Sequence, residues 1–129
     1  SQQVRYMKRG RLGEELAAGY LKRAGWTLCA RNWHAGRAGE IDIIGWDGDI
    51  LVFVEVKTAK TTRYGHPVTW VDARKQSQLA RLAELFVAQG DFAFSAMRFD
   101  VITIDARKQP PAITHLVDAF RPDIVGETG

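Results

Sequence analysis

Residues 40–57 of this 129-residue chain read EIDIIGWDGDILVFVEVK, and this stretch decides the fold. Two β-rich runs, 40–46 and 49–57, flank the dipeptide Asp47-Gly48, which is typical of a tight turn between antiparallel strands. Both runs carry apolar residues at successive positions, so that both faces of the strands are apolar. This pattern is typical of a sheet covered on both sides. The stretch therefore predicts a β-hairpin inside a buried sheet.

The sequence on either side of the hairpin predicts two helices. Apolar residues recur at helical spacing over residues 10–25, and again over residues 72–89, where Asp72 can cap the start of the helix. The resulting order of elements predicts an α/β fold, a three-layer sandwich with a mixed central β-sheet. The remaining strand-like runs are residues 26–33, 97–104 and 114–117.

The composition indicates one globular domain in the cytoplasm. Apolar residues make up 46% of the chain and charged residues 26%, and no apolar run approaches the ~18–20 residues of a membrane helix. The N-terminus is polar and has no signal-peptide core. The single cysteine, Cys29, suits a reducing compartment and is expected to be buried. Residues 1–9 are expected to form a flexible basic arm, residues 10–120 the domain and residues 121–129 a tail.

The net charge of +3 is unevenly distributed. Residues 1–81 carry 14 Lys and Arg against 8 Asp and Glu, whereas residues 82–129 carry 4 against 7. A basic N-terminal part is compatible with a face that binds a polyanion, and equally with a solvated surface.

Asp42 and Glu55 are carboxylates inside the two most apolar strands, where an unpaired charge costs several kcal/mol. Glu55 and Lys57 share a face, because they are two residues apart in a strand. A two-residue turn would place Asp42 diagonal to Glu55, and a four-residue loop would place it directly opposite. Either even length puts all three side chains on one face. A three-residue loop would separate the two carboxylates.

Two converging carboxylates repel each other, and a hard divalent cation with oxygen ligands removes that repulsion. Glu14 is a candidate third ligand, because it borders the apolar stripe of the first helix. Glu40 lies on the same face as Asp42 and is either a fourth ligand or solvated. Mg²⁺ or Mn²⁺ held by Asp42, Glu55 and Glu14 would polarise a phosphoryl oxygen and activate a bound water. Lys57 would stabilise the charge that builds on phosphorus.

A buried salt bridge is the competing interpretation of the same residues. Glu55 and Lys57 would neutralise each other, and Asp42 would be hydrogen-bonded at a strand end. Zinc is not expected, because the three histidines are far apart in the sequence and a single cysteine does not complete a zinc-binding motif.

Four basic residues are candidates for contacts with nucleic-acid phosphates. Lys75 lies at the start of the second helix, Lys60 and Arg63 follow Lys57 in a loop, and Arg11 lies in the first helix. The alternative interpretation is that they are solvated surface residues.

A wider set of motifs resembles a known family. An Asp in one hairpin strand and Glu-x-Lys in the next, after a helix bearing a Glu, resembles the PD-(D/E)xK nuclease superfamily. The longer pattern resembles the YraN family of uncharacterised bacterial proteins, which is related to archaeal Holliday-junction resolvases. Ile41 stands where many superfamily members have Pro, and Asp118 where we expect Asn. The matching stretches, within about residues 10–120, are GRLGE at 10–14, YL at 20–21, Gly25, RN at 31–32, GEID at 39–42, FVEVK at 53–57, Lys75, RFDV at 98–101, His115 and AF at 119–120.

The resemblance implies a restriction-endonuclease-like fold, with Asp42 and Glu55 as metal ligands, Lys57 as a catalytic residue and Glu14 supporting the metal. We therefore predict a bacterial cytoplasmic endonuclease that uses Mg²⁺ or Mn²⁺ to hydrolyse DNA phosphodiester bonds, with structured or branched DNA among its substrates. The expected partners are DNA and, because junction resolution needs two active sites, a second copy of the chain, but no membrane. The alternative is a non-catalytic nucleic-acid-binding module that retains the nuclease fold.

Overall fold

Two helices and five strands make up the part of the chain that the computed structural model describes. That part covers residues 2–59 and 71–122, with side chains described for residues 11–58 and 71–122. A short 3₁₀ turn, Gly36–Ala38, lies between the first two strands. The elements in chain order are α1 (Gln2–Arg23), β1 (Thr27–His34), β2 (Glu40–Asp47), β3 (Ile50–Ala59), α2 (Ala73–Ala88), β4 (Ala96–Asp105) and β5 (Ala112–Leu116).

The five strands form one mixed sheet in the order β1-β2-β3-β4-β5. β3 and β4 are parallel and are joined through α2, and the other neighbouring pairs are antiparallel. One core cluster lies between the sheet and α1, and another between the sheet and α2. The structure therefore has the three layers and the mixed sheet of an α/β restriction-endonuclease-like fold. This confirms the predicted fold class.

The two core clusters explain why the hairpin strands are apolar on both faces. Val52 and Val54 pack into the cluster that includes Ala17 and Leu21 of α1. Phe53 alternates with them and packs into the cluster that includes residues of α2. All three hairpin residues are almost fully buried, and burying a side chain of this size contributes about 1.5–3 kcal/mol.

Helix α1 begins earlier than the sequence predicts. Residues 2–9, expected to be a flexible arm, continue the helix in the structure. The residues added, among them Gln2, Arg5 and Lys8, are of types that enter helices at little cost, and a helix once nucleated adds one hydrogen bond per residue. At the other end of the chain, residues 121 and 122 have no regular structure, and residues 123–129 of the expected tail lie outside the described residues. No helix in the described part is long and apolar enough to cross a membrane.

The hairpin turn is displaced by one residue from its predicted position. Asp47 pairs with Ile50, so the turn residues are Gly48 and Asp49 rather than Asp47 and Gly48. Gly48 has a φ of 63°, which glycine adopts without the strain that a side chain would bring. The loop therefore has an even length, and its register is the one that aligns Asp42 with Glu55.

Cys29 is exposed, contrary to the prediction that it is buried. It lies in the edge strand β1 at an irregularity in the pairing, between Leu28 and Ala30. An extra residue at such a bulge is left out of the ladder, so alternation along the strand no longer predicts its orientation.

Candidate metal centre

The hairpin strands separate next to the two predicted ligands. Regular pairing of β2 with β3 ends at Ile43 and Val54. Beyond this point β2 stays paired with β1 and β3 stays paired with β4. The side chain of Asp42 replaces the lost main-chain acceptor, because its Oδ2 accepts a hydrogen bond of 2.8 Å from the backbone N–H of Val56. An opening in the sheet thus lies between Asp42 and Glu55.

The alternation of side chains along β2 is interrupted at the same place. Ile41 packs into the cluster on the α2 side, whereas Ile43 packs into the cluster on the α1 side. In a regular strand these two residues would share a face. The prediction that Asp42, Glu55 and Lys57 share one face is therefore too simple, because the carboxylates meet at an opening that both helical layers border.

Three carboxylates converge on the α1 side of this opening. Glu14, Glu40 and Asp42 each place one carboxylate oxygen within 4.8 Å of the other two. Glu14 reaches them because α1 approaches β3 closely at Gly13, where a Cβ atom would collide with the side chain of Thr58. The structure therefore joins Glu14 with Asp42 as predicted, and it places Glu40 with them.

The surroundings of Asp42 favour its neutral form in the absence of a cation. Burial, followed by the negative charge of Glu55, raises the pKa of Asp42 from 3.8 to about 7, and Glu14 and Glu40 contribute further. The hydrogen bond from Val56 acts in the opposite direction but does not cancel these effects. A cation bound among these carboxylates would remove the repulsion.

Glu55, a predicted ligand, lies beside the triad of Glu14, Glu40 and Asp42 without belonging to it, and two lysines contact its carboxylate. Its side chain is 7% exposed, and its Oε1 lies 3.4 Å from Nζ of Lys57 and 3.9 Å from Nζ of Lys75. Both contacts of the competing salt-bridge interpretation are thus present, namely the Glu55–Lys57 pair and the hydrogen bond to Asp42. That interpretation extends to Glu40, which lies 3.2 Å from Nε2 of His34, but it gives no reason for Glu14 to converge on Asp42.

The donor set fits a hard divalent cation. Its members offer only carboxylate oxygens, which are the ligands that Mg²⁺ and Mn²⁺ take in proteins. With every group ionised, four carboxylates and two ammonium groups leave a formal charge of −2, which one divalent cation would neutralise. The ionised groups are Glu14, Glu40, Asp42, Glu55, Lys57 and Lys75.

The predicted phosphate-contact residues have different outcomes. Lys75 lies in the site, beside Glu55. Arg11 is exposed on α1, one turn before Glu14. Lys60 and Arg63 lie outside the described residues.

Sequence reasoning missed the role of Gln78, on α2. Its Nε2 donates a 2.9 Å hydrogen bond to the backbone oxygen of Ala38, and its side chain lies where a Cβ of Gly39 would be. Gln78 therefore holds the chain immediately before Glu40. No signal in the sequence identifies it, because the contact joins segments 40 residues apart.

Asp100, within the RFDV stretch at residues 98–101, is a second buried carboxylate. It is fully buried and accepts hydrogen bonds from Arg98, at 2.9 and 3.0 Å, while its Oδ2 lies 2.7 Å from Nε2 of His115. The other ring nitrogen of His115 lies 3.0 Å from the hydroxyl of Tyr20 on α1. Burial alone would raise the pKa of Asp100, but the hydrogen bonds from His115 and Arg98 hold it below its usual value. This network joins α1 to β4 and β5.

The backbone N–H of Asp118 donates a further hydrogen bond of 2.9 Å to Oδ1 of Asp100. Asp118 has a φ of 53°, a conformation for which Asn and Asp are the favoured residues after glycine. Asp in place of the expected Asn therefore preserves the local backbone.

Comparison with known proteins identifies the chain's relatives. The model of "Uncharacterised protein family UPF0102" matches residues 13–104. A UPF0102 protein of Solibacter usitatus is 42% identical over 102 residues, which cover 78% of this chain and 77% of the relative. Those of Arthrobacter sp. and Pseudomonas aeruginosa are 44% and 39% identical, covering 83% and 87% of this chain and 91% of each relative. The matched segment includes Glu14, Asp42 and Glu55, and the chain belongs to the UPF0102, or YraN, family.

Proposed function

We propose that this protein is a divalent-metal-dependent nuclease that hydrolyses phosphodiester bonds of DNA. The observation that supports this most strongly is that Glu14, Glu40 and Asp42 converge beside Glu55. Lys57 contacts the carboxylate of Glu55 at 3.4 Å. Glu55 also contacts Lys75, and Glu40 lies 3.2 Å from Nε2 of His34. With His34 neutral, the four carboxylates of this cluster still outnumber the two ammonium groups, whereas a purely structural cluster would be expected to pair its charges.

In this proposal the carboxylates of Glu14, Glu40, Asp42 and Glu55 hold Mg²⁺ or Mn²⁺. When bound, the cation polarises a phosphoryl oxygen and lowers the pKa of a bound water. Asp42 keeps one oxygen on the backbone N–H of Val56, which fixes the orientation of the carboxylate and leaves its other oxygen for the cation.

Lys57 acts on the substrate side of Glu55. Its side chain is 37% exposed, so the ammonium group is accessible while Glu55 beneath it is buried. From this position Lys57 orients the attacking water and stabilises the negative charge that develops on phosphorus. Lys75 and Arg11 contact phosphates of the DNA backbone.

The alternative is a nucleic-acid-binding module without catalysis. It is favoured by one observation, namely that Glu55 is already paired with two lysines without any cation. The two functions make different predictions, because only the nuclease requires both a cation and Lys57.

A cleavage panel tests the proposal. Linear duplex, single-stranded, flap and four-way-junction DNA, together with RNA, are incubated with Mn²⁺ and either the wild-type protein, Lys57→Ala or Asp42→Asn. We expect each variant to lower the rate at least ~100-fold, the scale on which losing a single charge-stabilising group acts. Asp49→Asn and Lys108→Ala, at exposed positions in turns, serve as matched controls and should keep the wild-type rate.

Three results would count against a nuclease. Cleavage that survives in both site variants indicates a contaminant. DNA binding without any cleavage supports the binding module. Calorimetric titration that detects neither Mg²⁺ nor Mn²⁺, with or without DNA, refutes the metal centre. If a four-way junction is cut symmetrically, sedimentation should detect a dimer, because that reaction needs two active sites.

A further inference from the structure

We propose that Lys75 is an exchangeable counter-ion. Its ammonium group balances part of the negative charge of Glu55 until a divalent cation binds there, and then moves to a DNA phosphate. This inference rests on the proposed function, and it adds a step in which metal binding prepares the site for its substrate.

The contact between Lys75 and Glu55 is suited to exchange. Nζ of Lys75 lies 3.9 Å from Oε1 of Glu55, beyond hydrogen-bond distance, whereas Lys57 approaches the same oxygen at 3.4 Å. The ammonium of Lys75 therefore neutralises charge without a directional bond that would have to break. A cation among the carboxylates would replace that neutralisation and repel the ammonium.

The backbone of Lys75 is fixed while its side chain is free to turn. Its N–H donates a 2.8 Å hydrogen bond to Oδ1 of Asp72, which caps α2. The side chain is 33% exposed, and a lysine has four flexible carbons between the backbone and the charge. The ammonium can therefore swing by several ångströms without disturbing α2.

A cleft at the start of α2 offers an alternative position for the ammonium. Lys75 borders a cleft of about 480 Å³ together with Asp72, Arg74 and Gln78. Arg74 is exposed, so the cleft is lined by two cationic side chains and by one carboxylate, that of Asp72. DNA entering the metal site from the α2 side would bring phosphates into this cleft. The partner of the released lysine is therefore a phosphate of the DNA backbone.

Lys75→Met tests the exchange, because it removes the charge and keeps most of the side-chain length. The first measurement is calorimetric titration with Mn²⁺ in the absence of DNA. Loss of a competing cation should tighten Mn²⁺ binding by about two- to fivefold, the factor expected for a partly exposed ion pair. Lys75→Arg should bind Mn²⁺ as the wild type does, and Lys108→Met controls for net charge.

The second measurement is the salt dependence of binding to a short DNA duplex, with either Ca²⁺ or EDTA present. In Ca²⁺, Lys75→Met should weaken binding and reduce the slope of log K against log salt by about 0.9, the contribution of one phosphate contact in duplex DNA. In EDTA the same variant should leave the slope unchanged. A lysine with a merely structural role would affect both conditions equally.

Each outcome has a separate meaning. Mn²⁺ affinity that is unchanged or weaker in Lys75→Met overturns the exchange, and so does an equal loss of slope in Ca²⁺ and EDTA. If the wild type itself binds no Mn²⁺, the proposed function fails and this inference fails with it. Thermal unfolding of Lys75→Met confirms that α2 is intact, because the Asp72 cap uses only the backbone of residue 75.

Discussion

Replacing Asp42 with Asn removes a carboxyl group that the folded, metal-free protein keeps protonated more strongly than the unfolded chain does. The pKa of Asp42 is about 7 in the fold, against an ordinary value of 3.8. A folded-state pKa above the unfolded value contributes stability that is complete below about pH 4 and is lost as the pH rises through about 7. Wild-type protein in EDTA should therefore lose stability over this window, and Asp42→Asn should not.

The size of the effect follows from the shift. About three pKa units at ~1.4 kcal/mol each set a ceiling of ~4 kcal/mol. Asp42 is only partly buried, so solvent screening reduces the expected loss to about 1–3 kcal/mol. For a chain of this length each kcal/mol moves the melting temperature by about 3–4 °C. The amide oxygen of Asn can still accept the hydrogen bond from Val56, so the backbone contact is retained.

The assay is thermal and urea unfolding between pH 4.5 and pH 8 in EDTA, with Asp49→Asn as an exposed control. At pH 8 the Asp42→Asn protein should melt several degrees above the wild type, and the difference should shrink as the pH falls. Added Mg²⁺ should raise the melting temperature of the wild type and leave the variant unaffected. Parallel pH curves for wild type and variant would refute the reasoning, because they would mean that Asp42 is not destabilised by its neighbours.

Two further substitutions test other parts of the structure. Arg98→Met leaves the fully buried Asp100 without its guanidinium partner. The free energy of unfolding, measured in urea, should fall by about 3–5 kcal/mol. A fall of less than about 1 kcal/mol would contradict the assigned pairing. Gly13→Ala adds a Cβ that collides with the side chain of Thr58, so α1 must shift. Calorimetry should then show Mn²⁺ affinity weakened by about tenfold, because Glu14 is displaced; other changes that disturb the orientation of a metal ligand act on this scale. Gly19→Ala on the same helix meets only the flexible end of an arginine, and equal Mn²⁺ affinities for the two variants would exclude the close approach as the cause.

Much of the fold follows from local patterns in the sequence. The apolar hairpin predicts a sheet covered on both sides, and Asp72 marks the start of α2 within one residue. The even turn length brings Asp42 and Glu55 into line. These predictions succeed because strand alternation and helix capping depend on neighbours along the chain.

The parts that were missed depend on contacts between distant segments. The separation of β2 from β3 arises because β2 follows β1 while β3 follows β4, which no local pattern reports. The approach of Lys75 to Glu55 depends on how α2 packs. The carboxylate of Asp100 carried the same signal as Glu55, an acid two residues from a base in an apolar strand. Its partner His115 comes from β5, however, and the Tyr20 hydroxyl that contacts His115 comes from α1.

The break in the ladder also gives the sheet a mechanical role. Glu40 and Asp42 belong to the β1–β2 ribbon, whereas Glu55 and Lys57 belong to the parallel β3–β4 pair. Near the opening, the hydrogen bond from Val56 to Asp42 ties one unit to the other. A cation shared between them would set the angle at which the ribbon meets the parallel pair. Metal loading would then be measurable as a change of twist in the sheet itself.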